Sequence, residues 1–165
     1  MKSVYFIHKC IVFLLFLVAF ILQILPWPQD IYFLKPSWVY LIFSSLAIIF
    51  PEKINIGTGF TLGIILDLFI GLKFGVQTLS LSILAYLIFL KLEYFQKFSL
   101  LKQTYLIVYL LLIIKLIMIA YIYLINSVIL KISFFGNILV DAIMWPWIFS
   151  LIKRIFIFFK IIKKY

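Results

Sequence analysis

Residues 10–25 read CIVFLLFLVAFILQIL, with Gln23 as the one strongly polar side chain. A second run, YLIVYLLLII at 105–114, carries no charge. A membrane β-strand would alternate apolar and polar residues over about ten positions, and neither run alternates. Unbroken apolarity at this length fits α-helices that satisfy their own backbone hydrogen bonds in a medium without water. The rest of the chain agrees. Of its 165 residues 67% are hydrophobic and only 12% charged, with a mean hydropathy of +1.29, which leaves too little polar surface to cover a soluble domain of this size.

Working outward, the interruptions divide the chain into six expected spans at about 4–25, 37–50, 56–70, 76–90, 104–125 and 136–159. They form one integral membrane domain over 1–165, an all-α polytopic bundle of about six transmembrane helices. A region with Pro26, Pro28, Asp30 and Pro36 separates the first two spans, and Pro51-Glu52-Lys53 closes the second. That second span is the shortest. Its apolar part would reach only about 20 Å at 1.5 Å per residue, against a hydrocarbon core of ~30 Å. It must extend back to Pro36, tilt, or sit where the bilayer is thinned. Gly71-Leu72-Lys73-Phe74-Gly75 predicts a tight turn, and 91–103 a polar loop. The basic start and apolar run at the N-terminus resemble a signal sequence. No small-x-small cleavage site follows, so a retained first span is expected.

The net charge of +10 would suggest nucleic acid in a soluble protein. Here the charges lie between and beyond the apolar runs, where they set topology. With the N-terminus cytoplasmic, the inside segments hold Lys2, Lys9, Lys53, Lys91, Lys97, Lys102, Lys153, Arg154, Lys160, Lys163 and Lys164. The outside loops hold Lys35, Lys73 and Lys131. Eleven against three predicts both termini cytoplasmic. Trp27, Trp38, Trp145 and Trp147 fall near span ends or prolines, as interfacial aromatics do. The basic flank from Lys153 through Lys160, Lys163 and Lys164 reads as contact with anionic lipid, or more sharply with a cytoplasmic protein.

Enzyme chemistry finds little support. His8 stands alone beside Lys9 and reads as an interfacial flank. The single Cys10 reads as a small hydrophobe. There is no Cys/His cluster, phosphate loop or nucleophile elbow. No two of the acids Asp30, Glu52, Asp67, Glu93 and Asp141 are spaced to share a helix face. No enzyme, cofactor or metal site is expected.

Two acids fall in apolar spans, and both therefore face protein or a cavity. Asp67 continues a stripe of small residues, Gly59, Gly63, Asp67, Gly71, at steps of four that drift only about 40° each on a helix. Such a stripe lets another helix approach closely, within the protein or from a partner. Asp67 reads either as a site for a proton, ion or ligand, or as a structural carboxyl bonded to a neighbouring helix or to free backbone N–H groups. Asp141 precedes Trp145-Pro146-Trp147, where Pro146 should bend the last span as a fixed kink or a hinge. Lys115, in mid-span, could pair with Asp67 or Asp141, or snorkel to the interface.

Several blocks together resemble the bacterial MreD family. They are Leu22-Gln23-Ile24-Leu25-Pro26-Trp27-Pro28; Lys35-Pro36-Ser37-Trp38 followed by Pro51; Asn55-Ile56-Gly57-Thr58-Gly59-Phe60 with Gly63, Leu66-Asp67, Gly71, Gly75 and Leu79; and Trp145-Pro146-Trp147-Ile148-Phe149 with Lys153-Arg154. Ser44-Ser45, Thr78 and Lys115 depart from the family pattern. The resemblance implies a non-enzymatic, multi-pass inner-membrane component of the cell-elongation complex. It would bind MreC, be linked through it to MreB, RodA and the elongation transpeptidase, and help position lateral peptidoglycan synthesis. It also implies a fold similar to the membrane substrate-binding subunits of energy-coupling-factor transporters. A vitamin-type binding subunit of such a transporter is the alternative, and an enzyme acting on lipid-linked precursors lacks acid pairs or metal ligands.

Overall fold

The computed structural model describes residues 2–28, 34–70, 75–126 and 133–159. Among these there are seven helices and no strand: α1 (Lys2–Ile24), α2 (Trp38–Ile49), α3 (Ile56–Ile70), α4 (Val76–Leu90), α5 (Leu92–Lys97), α6 (Leu100–Asn126) and α7 (Ser133–Phe158). One helical stretch, Leu100–Ala120 in α6, is long and apolar enough by itself to cross a membrane, and four shorter helices are apolar throughout.

The short helix α2 is the centre of the structure. Every residue of α2 from Val39 to Ile48 is buried, as expected for a helix that is apolar all round. It packs against α1, α4 and α7. Val39, Leu41, Phe43 and Leu46 are wholly inaccessible. Phe50, ahead of Pro51, leaves helical geometry at φ −130° and ψ 64°, since the residue before a proline is driven from the α region. At that end Phe50 meets His8 of α1, with ring centroids 4.4 Å apart, and Phe156 of α7, at 4.7 Å. His8 is thus 3% exposed and packed between aromatic rings. It is not the interfacial flank expected from its neighbour Lys9.

Around this axis α6 lies against α4 and α7, while α3 packs chiefly on α4. The α3–α4 contact leaves no room for a side chain at its two glycines. A Cβ on Gly59 would lie 2.9 Å from the carbonyl oxygen of Leu81 and 3.2 Å from the Phe43 ring. A Cβ on Gly63 would overlap the backbone of Thr78 and Gln77. Leu66 and Asp67 complete the buried face of α3, and Phe60, Ile64, Leu68 and Phe69 point outward.

The expected polar loop at 91–103 is largely helical. Glu93 and Lys97 pair at 3.8 Å across one turn of α5, and Phe95 anchors the turn with no exposed surface. Gln103 then donates from Nε2 to the carbonyls of Phe95 and Phe98, at 2.5 and 3.0 Å, closing the end of α5. α6 begins at Leu100 and α7 at Ser133, ahead of the positions 104 and 136 read from hydropathy. Polarity set those expected boundaries, whereas one buried phenylalanine and one glutamine cap decide the first of them. The turn expected at 71–75 lies outside the described residues except for Gly75, and Lys131, expected in an outside loop, lies outside them too.

The tight face predicts a sharp contrast between glycines. Gly63→Ala should lose about 1–3 kcal/mol of stability through overpacking against fixed backbone. Gly57→Ala, whose Cβ would meet only Asn55 Oδ1 at 3.3 Å, should change it little. Thermal midpoints in mild detergent measure both; equal midpoints would be inconsistent with the close approach.

Candidate functional site

Every helix begins with backbone N–H groups that have no partner within the helix, and where these are buried something else must accept their hydrogen bonds. α4 begins against α3, away from solvent, and its first turn contains no capping side chain of its own. Asp67 supplies the acceptors from the neighbouring helix. Its Oδ2 accepts from Gly75 N at 2.9 Å, Thr78 N at 3.1 Å and Thr78 Oγ1 at 2.6 Å, and its Oδ1 accepts from Gln77 N at 2.9 Å. The carboxylate also lies at the positive end of the α4 dipole. Gly75 enters α4 with φ 105°, a left-handed geometry that strongly favours glycine. Asp67 is 1% exposed, and both its oxygens are engaged by α4. Of the two readings of this residue, the geometry is that of a carboxyl bonded to free N–H groups.

The same arrangement recurs at α2. Asp141, wholly buried in α7, accepts at Oδ1 from Ser37 N, the N-cap of α2, at 2.7 Å. Its Oδ2 faces Lys115 Nζ of α6 at 3.4 Å. Lys115 therefore neither snorkels nor meets Asp67; it is 8% exposed and pairs with Asp141. One carboxylate thus joins the start of α2, the middle of α6 and the first half of α7.

Polar links run on from both aspartates. Tyr40 donates to Gln77 Oε1 at 2.5 Å and lies 3.9 Å from the sulfur of Met118, tying α2 to α4 and α6. Trp145, fully buried and stacked on Phe149, donates from Nε1 to Ser44 Oγ at 3.2 Å. Ser44 and Ser45 also donate to the carbonyl of Leu41. Pro146 lies inside α7 and deprives the Ala142 carbonyl of its helical donor. Trp147, its neighbour, is 76% exposed. Beyond the ends of α1 and α2, Lys35 donates to the carbonyls of Gln23 and Leu25, at 2.6 and 3.1 Å. Burial pushes its ammonium pKa down.

Of the residues read from sequence, Gly59, Gly63, Asp67 and Gly75 come together at the α3–α4 contact, and Asp141 and Trp145 at the joint with α2. Gly71, Lys160, Lys163 and Lys164 lie outside the described residues, whereas Lys153 and Arg154 are exposed on the last turns of α7. Sequence reading missed Ser37, Tyr40, Gln77 and Gln103. Gln77 and Thr78, directly after Gly75, were the available signal, being polar residues at the start of an apolar helix. Among the described residues no three His, Cys, Asp or Glu side chains gather to hold a metal.

The chain is similar to known proteins over most of its length. The family model described as rod shape-determining protein MreD matches residues 4–155. The chain belongs to the MreD family. It is also 31% identical over 140 residues to the rod shape-determining protein MreD of Haemophilus influenzae, an alignment that takes in 85% of this chain and 86% of the other. No solved structure matches it. The match extends from α1 into the last turns of α7, so the aspartate caps, the glycine face and the Trp145-Pro146-Trp147 segment all lie inside the MreD region.

Two substitution series test these joints. Asp67→Leu orphans three N–H groups, at about 1–3 kcal/mol each, while Asp67→Asn keeps one acceptor oxygen. Thermal midpoints should fall in the order wild type, Asn, Leu. Lys115→Met strands the Asp141 carboxylate and should cost about 3–5 kcal/mol. Adding Asp141→Asn should recover part of that loss; no recovery would show that the two residues are not coupled.

Proposed function

We propose that this MreD-family chain is a non-enzymatic, multi-pass protein of the bacterial inner membrane. In this reading α1, α2, α3, α4, α6 and α7 cross the bilayer and both termini are cytoplasmic. The protein binds MreC directly and, through it, joins MreB, RodA and the elongation transpeptidase, helping to place and regulate lateral peptidoglycan synthesis.

Family membership carries the shape-determining role. The membrane arrangement is supported by the outer surface. Phe13, Leu14 and Ile21 on α1, Phe60, Leu68 and Phe69 on α3, Leu101, Tyr105 and Tyr109 on α6, and Leu139, Ile143 and Leu151 on α7 are all exposed. Apolar area on that scale suits lipid or partner helices and not water. Lys53, Lys91, Lys97, Lys102, Lys153 and Arg154 gather at the end where α2, α4 and α7 finish, which suits a cytoplasmic face. The absence of a chemical task is consistent with how the polar interior is used, since both intrahelical aspartates are occupied in joining helices.

A small-molecule transporter subunit, the other class considered, drew on Asp67 as a polar group available to a ligand. Four hydrogen bonds from the start of α4 already occupy that carboxylate, so the binding-scaffold reading is favoured.

Affinity purification in mild detergent, with MreC co-expressed, tests the partnership directly. Wild-type protein should retain MreC. Gly63→Leu, which breaks the α3–α4 contact, should lose it together with the ability to restore rod shape in cells depleted of their own MreD. A wild-type chain that retains no MreC would remove the partner assignment.

A further inference from the structure

Three of the six helices read as spans are short. α2 has 12 residues, and α3 and α4 have 15 each, against 27 in α6 and 26 in α7. At 1.5 Å per residue the last two of the three short helices reach about 22 Å, well below the ~30 Å of a bilayer's hydrocarbon core.

Contacts between helices give an independent ruler. α2 is tied to α7 at both ends, at Ser37 by Asp141 and at Phe50 by Phe156. Those two α7 residues lie 15 positions apart, again about 22 Å. On α1 the matching ties are His8, against Phe50, and the carbonyl of Gln23, bonded to Lys35 two residues before Ser37. They also lie 15 positions apart, giving the same length of about 22 Å. At the Ser37 end, Gln77 at the start of α4, Tyr40 of α2 and Met118 of α6 meet at one level. Beyond that level α6 runs on to Asn126, and α7 starts back at Ser133, each with about two further turns, or roughly 12 Å.

On the low side the outward surface of α3 and α4 is largely apolar, interrupted on α3 by exposed Thr61. Phe60, Ile64, Leu68 and Phe69 of α3 and Leu79, Tyr86, Phe89 and Leu90 of α4 are exposed. Lys53 precedes α3 and Lys91 follows α4 at the same end, both exposed. Charge thus closes the apolar face there, and it cannot be lengthened by the flanking chain.

We propose that the α3–α4 side, with the equally short α2 enclosed behind it, binds a thinned bilayer, an apolar layer of about 22 Å, and so selects short or loosely packed acyl chains while α6 and α7 stand taller beside it. The occupant of the α3–α4 face is membrane lipid, identified by the length of the face. The proposal rests on the multi-pass reading above.

The test uses the full chain reconstituted in vesicles of phosphatidylcholine with two monounsaturated chains of 14, 16, 18, 20 or 22 carbons. The thermal midpoint of unfolding should be highest at 14 to 16 carbons. In the variant Lys53→Leu/Lys91→Leu the apolar face gains up to a turn at the charged end, and the optimum should move to chains longer by roughly two to four carbons. A wild-type optimum at 18 carbons or more, or an optimum that the variant does not move, overturns the proposal and leaves the membrane reading standing. A chain that enters none of these vesicles overturns both.

Discussion

Buried helix N-termini need acceptors, and two aspartates on neighbouring helices provide them. α4 begins with the buried run Val76, Gln77 and Thr78, and α2 begins at half-buried Ser37 and Trp38 before its buried core. In a medium without water such groups cost several kcal/mol each if left alone. Asp67 answers this for α4 and Asp141 for α2. A carboxylate in that position receives hydrogen bonds and also sits at the positive end of a helix dipole, so its own burial is compensated without a full ion pair. Asp67 needs no lysine for this reason. Asp141 makes a single backbone contact and has Lys115 as well.

The glycine face follows from the same requirement. Asp67 can reach the first turn of α4 only if α3 lies almost in backbone contact with it. Gly59 and Gly63 are the residues that permit this approach, because a Cβ at either position would strike the α4 backbone. Gly75 then turns the chain into α4 with its N–H aimed at the carboxylate. Close approach, cap and turn are one device spread over three features of the sequence. Loss of any one should loosen the other two, since coupling is expected among residues that share partners.

Much of this was legible beforehand, for physical reasons that differ by element. The limits of α3 and α4, expected at 56–70 and 76–90, agree with Ile56–Ile70 and Val76–Leu90, because glycine, lysine and asparagine bound both helices sharply. The stripe of small residues announced a packing face, since helical steps of four nearly superpose. The centrality of α2 could not be read. Its length argued against a full span, and only the contacts of its neighbours show it enclosed on every side. α5 was hidden because one buried phenylalanine among polar residues has no periodicity to detect. Which of two aspartates Lys115 would meet depended on how α6 and α7 sit against each other, and that is a tertiary fact.

What the described exterior offers follows from what the interior has consumed. The intrahelical carboxylates, the mid-helix lysine and the Tyr40–Gln77 pair are each turned to a neighbouring helix of the same chain. The described exterior of the helices offers large aliphatic and aromatic side chains along their length and cations at the end where α2, α4 and α7 finish. Within a membrane, apolar side chains distinguish one helix from another by shape and not by hydrophobicity, since lipid is equally apolar. In the proposed reading a partner helix would be recognised by fit against a surface held rigid, and a rigid surface is what caps and close-packed glycines produce. The polar interior would then contribute to recognition indirectly, by fixing the positions of the outward-facing residues of α1, α3, α6 and α7. That reading would tie the proposed scaffold role to the two aspartates without requiring either of them to touch a partner.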